Sequence, residues 1–234
     1  MTHTSTSLSL TVYCASSNRV PQLYLDAAAE LGRLIALHGH TLVYGGGNIG
    51  LMAALARAAL AHGGKVKGVI LAEFIDRGYA NSGHEMHSVD DMRSRKRGLD
   101  EFGDAYIALP GGFGTFEEIL EMISFKQLGF HNKPIVFINT NEYFAHLLCQ
   151  FDRAFAEAFI HERFRNLYSV AATPQEALDV IEAAAAVGQA AQAVSPVTRD
   201  QPLPARLRGT RTSRFFLHLS GYYGILSKIR ILEA

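Results

Sequence analysis

Five short runs of almost unbroken apolar residues, "LSLTVYCA", "HTLVYGGG", "KVKGVILAEF", "AYIALPGG" and "KPIVFINT", recur along the chain, each followed by a stretch with helical spacing. A strand with one wet face alternates polar and apolar residues. These runs do not alternate, so both of their faces must be buried. A parallel sheet covered by helices on both sides offers that environment, and the repeated strand-then-helix order supplies the crossovers that parallel strands need.

The helical stretches carry their own punctuation. "PQLYLDAAAELGRLIALHG" starts on a helix-compatible proline and stops at His38 and Gly39, and "IGLMAALARAALAHGG" ends on another glycine stop. "SVDDMRSRKRGLDEFG" and "TFEEILEMISFKQLGF" follow as helices. "EYFAHLLCQFDRAFAEAFI" is expected to break near its middle, and "NLYSVAATPQEALDVIEAAAA" to supply a last short strand and helix. Between the third strand and the "DDMRSRK" helix lies what reads as a polar loop. The fold class is α/β, a Rossmann-like open parallel sheet with helices on both faces.

At 234 residues the chain suits one well-buried domain, expected over 1–185. An alanine-rich, then proline-punctuated stretch over 186–205 reads as a linker, and 206–234 as a basic aromatic extension too small to be a domain. Equal numbers of acidic and basic residues, 22 of each, single out no partner, although the seven Lys or Arg of 199–234 leave the rest net acidic. Arg206, Arg208, Arg211 and Arg214, with Phe215 and Phe216, suit nucleic acid or an anionic membrane less well than an arm lying on the body or a neighbouring subunit. Neither nucleic acid nor a membrane is the expected partner. Cys14 and Cys149 stand in no metal-ligand spacing and read as reduced thiols. The leader has no basic n-region, and no stretch approaches the roughly 18 apolar residues of a membrane span. The expectation is a cytoplasmic protein.

Two glycine loops carry the chemistry. "YGGGNIG" sets Gly45, Gly47 and Gly50 at dinucleotide-fingerprint spacing, with Glu73 at about the right distance at the end of the next strand, so an NAD reading stays open. Against it stands a second loop, "LPGGFGTFEEIL", with Gly111, Gly112 and Gly114 before Thr115. Neither loop ends in the Gly-Lys-Ser/Thr of a triphosphate P-loop, which removes the main support for kinase and ATPase readings. Each is also explained, more blandly, as a tight strand-to-helix turn.

The second loop is built for an anion yet followed at once by Glu117 and Glu118. Thr115 as N-cap with Glu118 three residues later makes a capping box, which accounts for one carboxylate without a ligand. It leaves Glu117 and the glycines unexplained. In "DDMRSRKRGLDEF", Val89, Met92, Leu99 and Phe102 form an apolar stripe, with Arg95 and Lys96 on either side of its centre and Arg93 and Arg97 turned away. A nucleoside monophosphate reconciles these features. Its phosphate takes the loop amides and helix N-terminus, worth about 1–2 kcal/mol, and the carboxylates lie further on at the sugar. There a carboxylate stabilises positive charge on the ribose ring or activates water at C1′, which is N-glycosidic hydrolysis.

"VYGGGNIGLM", "MRSRK", "PGGFGTFEE" and "QLGFHNKPIVFIN" closely resemble the Lonely Guy family of cytokinin-activating phosphoribohydrolases, long misnamed lysine decarboxylases, over residues 8 to about 180. The resemblance implies cleavage of a cytokinin riboside 5′-monophosphate, or of AMP, to free base and ribose 5-phosphate, with no cofactor. It implies Arg95 and Glu118 as the catalytic pair. Lys96, Gly111, Gly112, Gly114, Thr115 and Glu117 would hold phosphate and ribose, and Gly45, Gly46, Gly47 and Asn48 would close over the nucleotide. It also implies a homo-oligomer, a dimer or larger. The sequence departs from the family pattern at "LAEFIDRGYANSGHEMHSV", where the base should bind. His84, Glu85 and His87 there lack metal-site spacing and read as part of a lid; no metal is expected. The rival reading from another class is a nucleotide-sensing module without turnover.

Overall fold

The computed structural model describes residues 7–193; the expected arm at 206–234 and the linker beyond 193 lie outside the described residues. Seven strands form one sheet: β1 (Ser9–Tyr13), β2 (Thr41–Tyr44), β3 (Lys65–Leu71), β4 (Glu85–Val89), β5 (Ala105–Ala108), β6 (Ile135–Ile138) and β7 (Ser169–Ala171). Their order is β4-β3-β2-β1-β5-β6-β7, and every pair is parallel. The chain therefore winds outward from β1 in one direction and then, from β5, in the other. The reversal between β1 and β5 opens a crevice at the carboxyl ends of the strands.

Period-two alternation sends neighbouring side chains to opposite faces. Leu10 and Val12 of β1 pack with Leu31, Ile35, Leu51, Leu55 and Ile181, from α1 (Gln22–Leu37), α2 (Gly50–Ala61) and α7 (Pro174–Ala193). Tyr13, Val43, Tyr106 and Phe137 face the other way, toward Leu99 of α4 (Met92–Glu101), which follows the short α3 (Ala72–Asp76), and Ile119 and Met122 of α5 (Phe113–Gln127). Phe144, just ahead of α6 (Ala145–Ala156), joins that second core. On the first face α1 and α2 approach so closely that a Cβ on Gly32 would lie 2.1 Å from the Leu55 carbonyl oxygen. Only glycine fits there.

The expected fold class is the observed one, with corrections in detail. β4 falls inside what the sequence presents as a polar loop. As an edge strand it has one neighbour, and Glu85 and Ser88 are exposed, so the apolar signature of a buried strand is missing. The third strand stops at Leu71, and "AEFID" turns into α3. Val89 ends β4 instead of sharing a helical stripe, and Asp91 caps α4, its side chain accepting from the amides of Arg93 and Ser94 at 2.8 and 3.0 Å. The break expected within "EYFAHLLCQFDRAFAEAFI" falls at its start, where a 3₁₀ turn over Thr140–Glu142 precedes an unbroken α6. α7 continues to Ala193, past the boundary expected at 185.

Candidate active site

Four loops meet at the carboxyl ends of β1, β2, β3 and β5, and the start of α4 leans over them. They enclose a cavity of about 520 Å³, the size of a small-molecule site. Of the residues singled out in the sequence, Gly45, Gly47, Arg95, Gly112, Gly114, Thr115 and Glu118 line it. Gly46, Asn48, Lys96, Gly111 and Glu117 stand behind that wall.

The two glycine loops differ in a way their sequences conceal. At α2 the first amides are occupied: the Gly50 N–H donates to the Asn18 side chain at 2.7 Å, and the Leu51 N–H to the Ala15 carbonyl at 3.0 Å. Glu73, the acidic residue of the dinucleotide reading, lies on α3 and pairs with Arg77 at the surface. The dinucleotide pattern thus has neither its free helix end nor its ribose carboxylate. At α5 the N-cap is Gly112, with no side-chain cap. Among the described residues, the amides of Phe113, Gly114 and Thr115 have no acceptor. Thr115 lies inside the first turn, so the expected capping box does not form, and Glu118 is left for another role. Three free amides at a helix N-terminus facing a cavity make an anion site.

Glu118 stands one turn further along α5 and meets Arg95. The Arg95 Nη1 donates to Glu118 Oε1 at 2.9 Å, with the two side chains 11% and 13% exposed. The guanidinium is fixed on two more sides, donating to the Val69 carbonyl through Nε at 3.1 Å and to the Gly45 carbonyl through Nη2 at 3.3 Å. The first glycine loop therefore serves as a bed for Arg95. A Cβ on Gly45 would come 2.2 Å from Nη2. Burial pushes the Glu118 carboxyl above the usual carboxylate range, and the Arg95 guanidinium opposes that shift. Tyr13 and Cys14 from the end of β1 also line this part of the cavity. Burial first, and the charge of Glu118 after it, raise both of their pKa values and keep them neutral.

Lys96 leans inward as expected but meets carboxylates: its Nζ donates to Glu117 at 2.5 Å and Glu121 at 3.0 Å. This cluster braces α4 against α5 and so supports the Arg95–Glu118 pair from behind.

Most of the rest of the wall is apolar: Met92, read in the sequence only as part of a helical stripe, and Ile49, Met52, Ile70, Phe74, Tyr79 and Phe113, which were not singled out there. Phe74 and Tyr79 pack edge to face at 6.2 Å within the segment after β3. That segment is sewn to the first glycine loop. Asn48 donates through its amide to the Tyr79 carbonyl and through its side chain to Gly78, while the Asn81 N–H donates to Gly46. Gly46 and Asn48 thus hold the cover in place from outside the cavity.

His84, Glu85 and His87 do not converge: His84 Nε2 lies 3.0 Å from the Tyr44 hydroxyl, and His87 Nε2 lies 2.6 Å from Glu85. Among the described residues the grouping with metal-like proximity is His38, His40 and Glu182, at the opposite end of β2. The Leu8 N–H donates to His40 Nδ1 at 3.2 Å, which leaves the ring proton on Nε2, facing Glu182 at 3.0 Å. A metal-bound imidazole needs the reverse, an acceptor for its second nitrogen. The trio is a hydrogen-bonding contact between α7 and the α1–β2 corner.

A doubly wound parallel sheet with an open helix N-terminus and a buried Arg–Glu pair at its switch point defines an α/β protein whose crevice has the chemistry to receive a small anionic ligand. Residues 52–181 match the family described as possible lysine decarboxylase. A cytokinin riboside 5′-monophosphate phosphoribohydrolase of Rhodococcoides fascians is 44% identical over 160 residues, 68% of this chain and 81% of that protein. A probable cytokinin riboside 5′-monophosphate phosphoribohydrolase of Oryza sativa subsp. japonica is 40% identical over 172 residues, 73% of this chain and 70% of that protein. The chain belongs to this family, as the Lonely Guy resemblance implies. Among solved structures, the molybdenum cofactor binding protein from Rippkaea orientalis superposes with a TM-score of 0.61 over 77% of this chain and 98% of that one, at 22% identity, which speaks for the fold alone.

Proposed function

We propose that this protein is a nucleoside 5′-monophosphate phosphoribohydrolase. The observation that carries the reading is the juxtaposition of an open anion-binding helix end with a buried carboxylate one turn along the same helix. The 5′-phosphate accepts from the amides of Phe113, Gly114 and Thr115, which anchors the nucleotide and sets its ribose beside Glu118. The glycosidic electron pair leaves with the base nitrogen. The Glu118 carboxylate stabilises the cationic ribose and takes a proton from the water that adds to C1′, and the base gains a proton. A carboxyl raised above its ordinary range holds that proton better than an exposed glutamate would. Arg95 keeps the carboxylate oriented through a hydrogen bond that outlasts each step.

The apolar wall of Ile49, Met52, Phe74, Tyr79 and Met92 receives the base. It suits an adenine, plain or N6-substituted, and the curated relatives are named for cytokinin nucleotides. Phe113, 92% exposed at the cavity mouth, is apolar surface that a second copy would cover, in keeping with a homodimer. The two free thiols fit a cytoplasmic protein. The test is chromatographic detection of free base from a panel of nucleoside 5′-monophosphates. The reading requires release that needs the 5′-phosphate. Tight binding of intact AMP with no release would favour a sensing module.

A further inference from the structure

The turn after β6 plays no part in the steps above, yet it touches the loop that receives the anion. The Tyr143 hydroxyl donates to the Gly111 carbonyl at 2.5 Å. We propose that Tyr143 is a positioning residue that locks the Gly111–Gly112 peptide so that its N–H, and not its carbonyl oxygen, faces the anion site. The proposal rests on the reading that a phosphate occupies the N-terminus of α5.

In a trans peptide the C=O and N–H point in opposite directions. Pinning the Gly111 carbonyl toward Tyr143 therefore aims the Gly112 N–H the other way, and Gly112 lines the cavity. A peptide between two glycines has no Cβ on either side to resist a flip. Flipped, it would offer the phosphate a carbonyl oxygen of like charge. The same two glycines that let the loop close around an anion thus leave its polarity undefined, and an external donor has to choose it.

The turn bearing that donor is strained. Asn141 and Glu142, consecutive and neither of them glycine, hold φ values of 50° and 56°, and Thr140 Oγ1 is buried without a partner. Such features persist where neighbours over-determine them. Here the Asn139 side chain accepts from the Phe144 N–H at 2.7 Å, and the Asn139 N–H donates to the Ala171 carbonyl at 2.8 Å. Phe144 is buried edge to face on Phe137 at 5.1 Å. The Tyr143 ring is gripped edge-on by Tyr24 at 5.6 Å. The turn trades backbone comfort for a fixed hydroxyl.

Tyr143→Phe in the full chain keeps the ring contacts and removes the donor. The expected result is a rise of about tenfold in both the KM for AMP and the inhibition constant of ribose 5-phosphate, the effect of one hydrogen bond. Affinity for adenosine, which lacks the phosphate, should stay as in wild type, and the thermal midpoint should fall by no more than about 2–4 °C. The Gly112 amide resonance should respond to inorganic phosphate in wild type and much less in the variant. Equal ribose 5-phosphate affinity in both proteins overturns the proposal, as does a loss shared equally by adenosine. Should wild type release no base yet show the phosphate response and its loss in Tyr143→Phe, the reaction fails and the positioning role stands. Normal turnover with identical phosphate affinities sinks the positioning role alone.

Discussion

Arg95→Met removes the guanidinium while roughly keeping its length, and strands Glu118. In the wild type that carboxylate is 13% exposed and held by Arg95 at 2.9 Å. Removing one partner of such a pair costs about 3–5 kcal/mol, because a charge is left buried and unpaired. The carboxyl has an escape: it can take up a proton, so the penalty is capped at about 1.4 kcal/mol for each unit by which the pH exceeds the unfolded pKa, and it levels off once the pH passes the new folded pKa. The sign follows. Its folded-state pKa is raised above the unfolded value, so the folded protein binds the extra proton. Stability is then greatest below the unfolded pKa and falls as pH rises through the folded one. Burial already raises the Glu118 pKa, and Arg95 is what opposes the rise; the variant's window must therefore extend further upward. Urea unfolding followed by far-UV circular dichroism should show Arg95→Met losing about 3 kcal/mol near pH 8 and much less near pH 5. Adding Glu118→Gln, which removes the charge, should restore about 2 kcal/mol at the higher pH. A loss independent of pH, or no restoration by Glu118→Gln, would refute the view that Arg95 compensates a buried charge.

Two further outcomes test the same site. Gly45→Ala places a methyl 2.2 Å from Arg95 Nη2, and a displacement near 1 Å at a catalytic group costs about 100-fold; kcat/KM should fall by that order while the fold survives by circular dichroism. In the pH profile of kcat/KM, which reports the free enzyme, the acidic limb should break above the ordinary glutamate value of about 4.3, because the Glu118 pKa is raised and the base must be ionised; Lys96→Met, acting from behind the pair, should leave a limb of the same direction. A break at or below the ordinary value would assign the limb to another group.

The strands that build the crevice, β1, β2, β3, β5 and β6, were legible because burial on both faces writes a nearly continuous apolar run. β4 was not, since an edge strand with exposed Glu85 and Ser88 carries no such run. Arg95 could be placed from the helical stripe around Leu99, and its partner from the glycine motif. The division of labour between the two glycine loops was hidden. It depends on Asn18, thirty-two positions before Gly50 in sequence, reaching over to fill the α2 end, and no local pattern encodes that contact. Lys96 and Glu117 were read as ligand groups through the resemblance; that in the folded chain Lys96 also pairs with Glu117 and Glu121 is a contact between two helices, which the periodicity of neither helix encodes. The apolar wall stayed invisible for a third reason. Phe74 and Tyr79 belong to a cover whose position is set by hydrogen bonds to Gly46 and Asn48, not by periodicity.

The most direct measurement is base release from AMP and isopentenyladenosine monophosphate, side by side, with wild type and Glu118→Gln, and with the corresponding nucleosides as controls. The account predicts free base and ribose 5-phosphate in equal amounts from wild type, a loss of at least about 100-fold in Glu118→Gln, and little from the nucleosides. Release undiminished in Glu118→Gln, or equally fast from substrates without the 5′-phosphate, would contradict it.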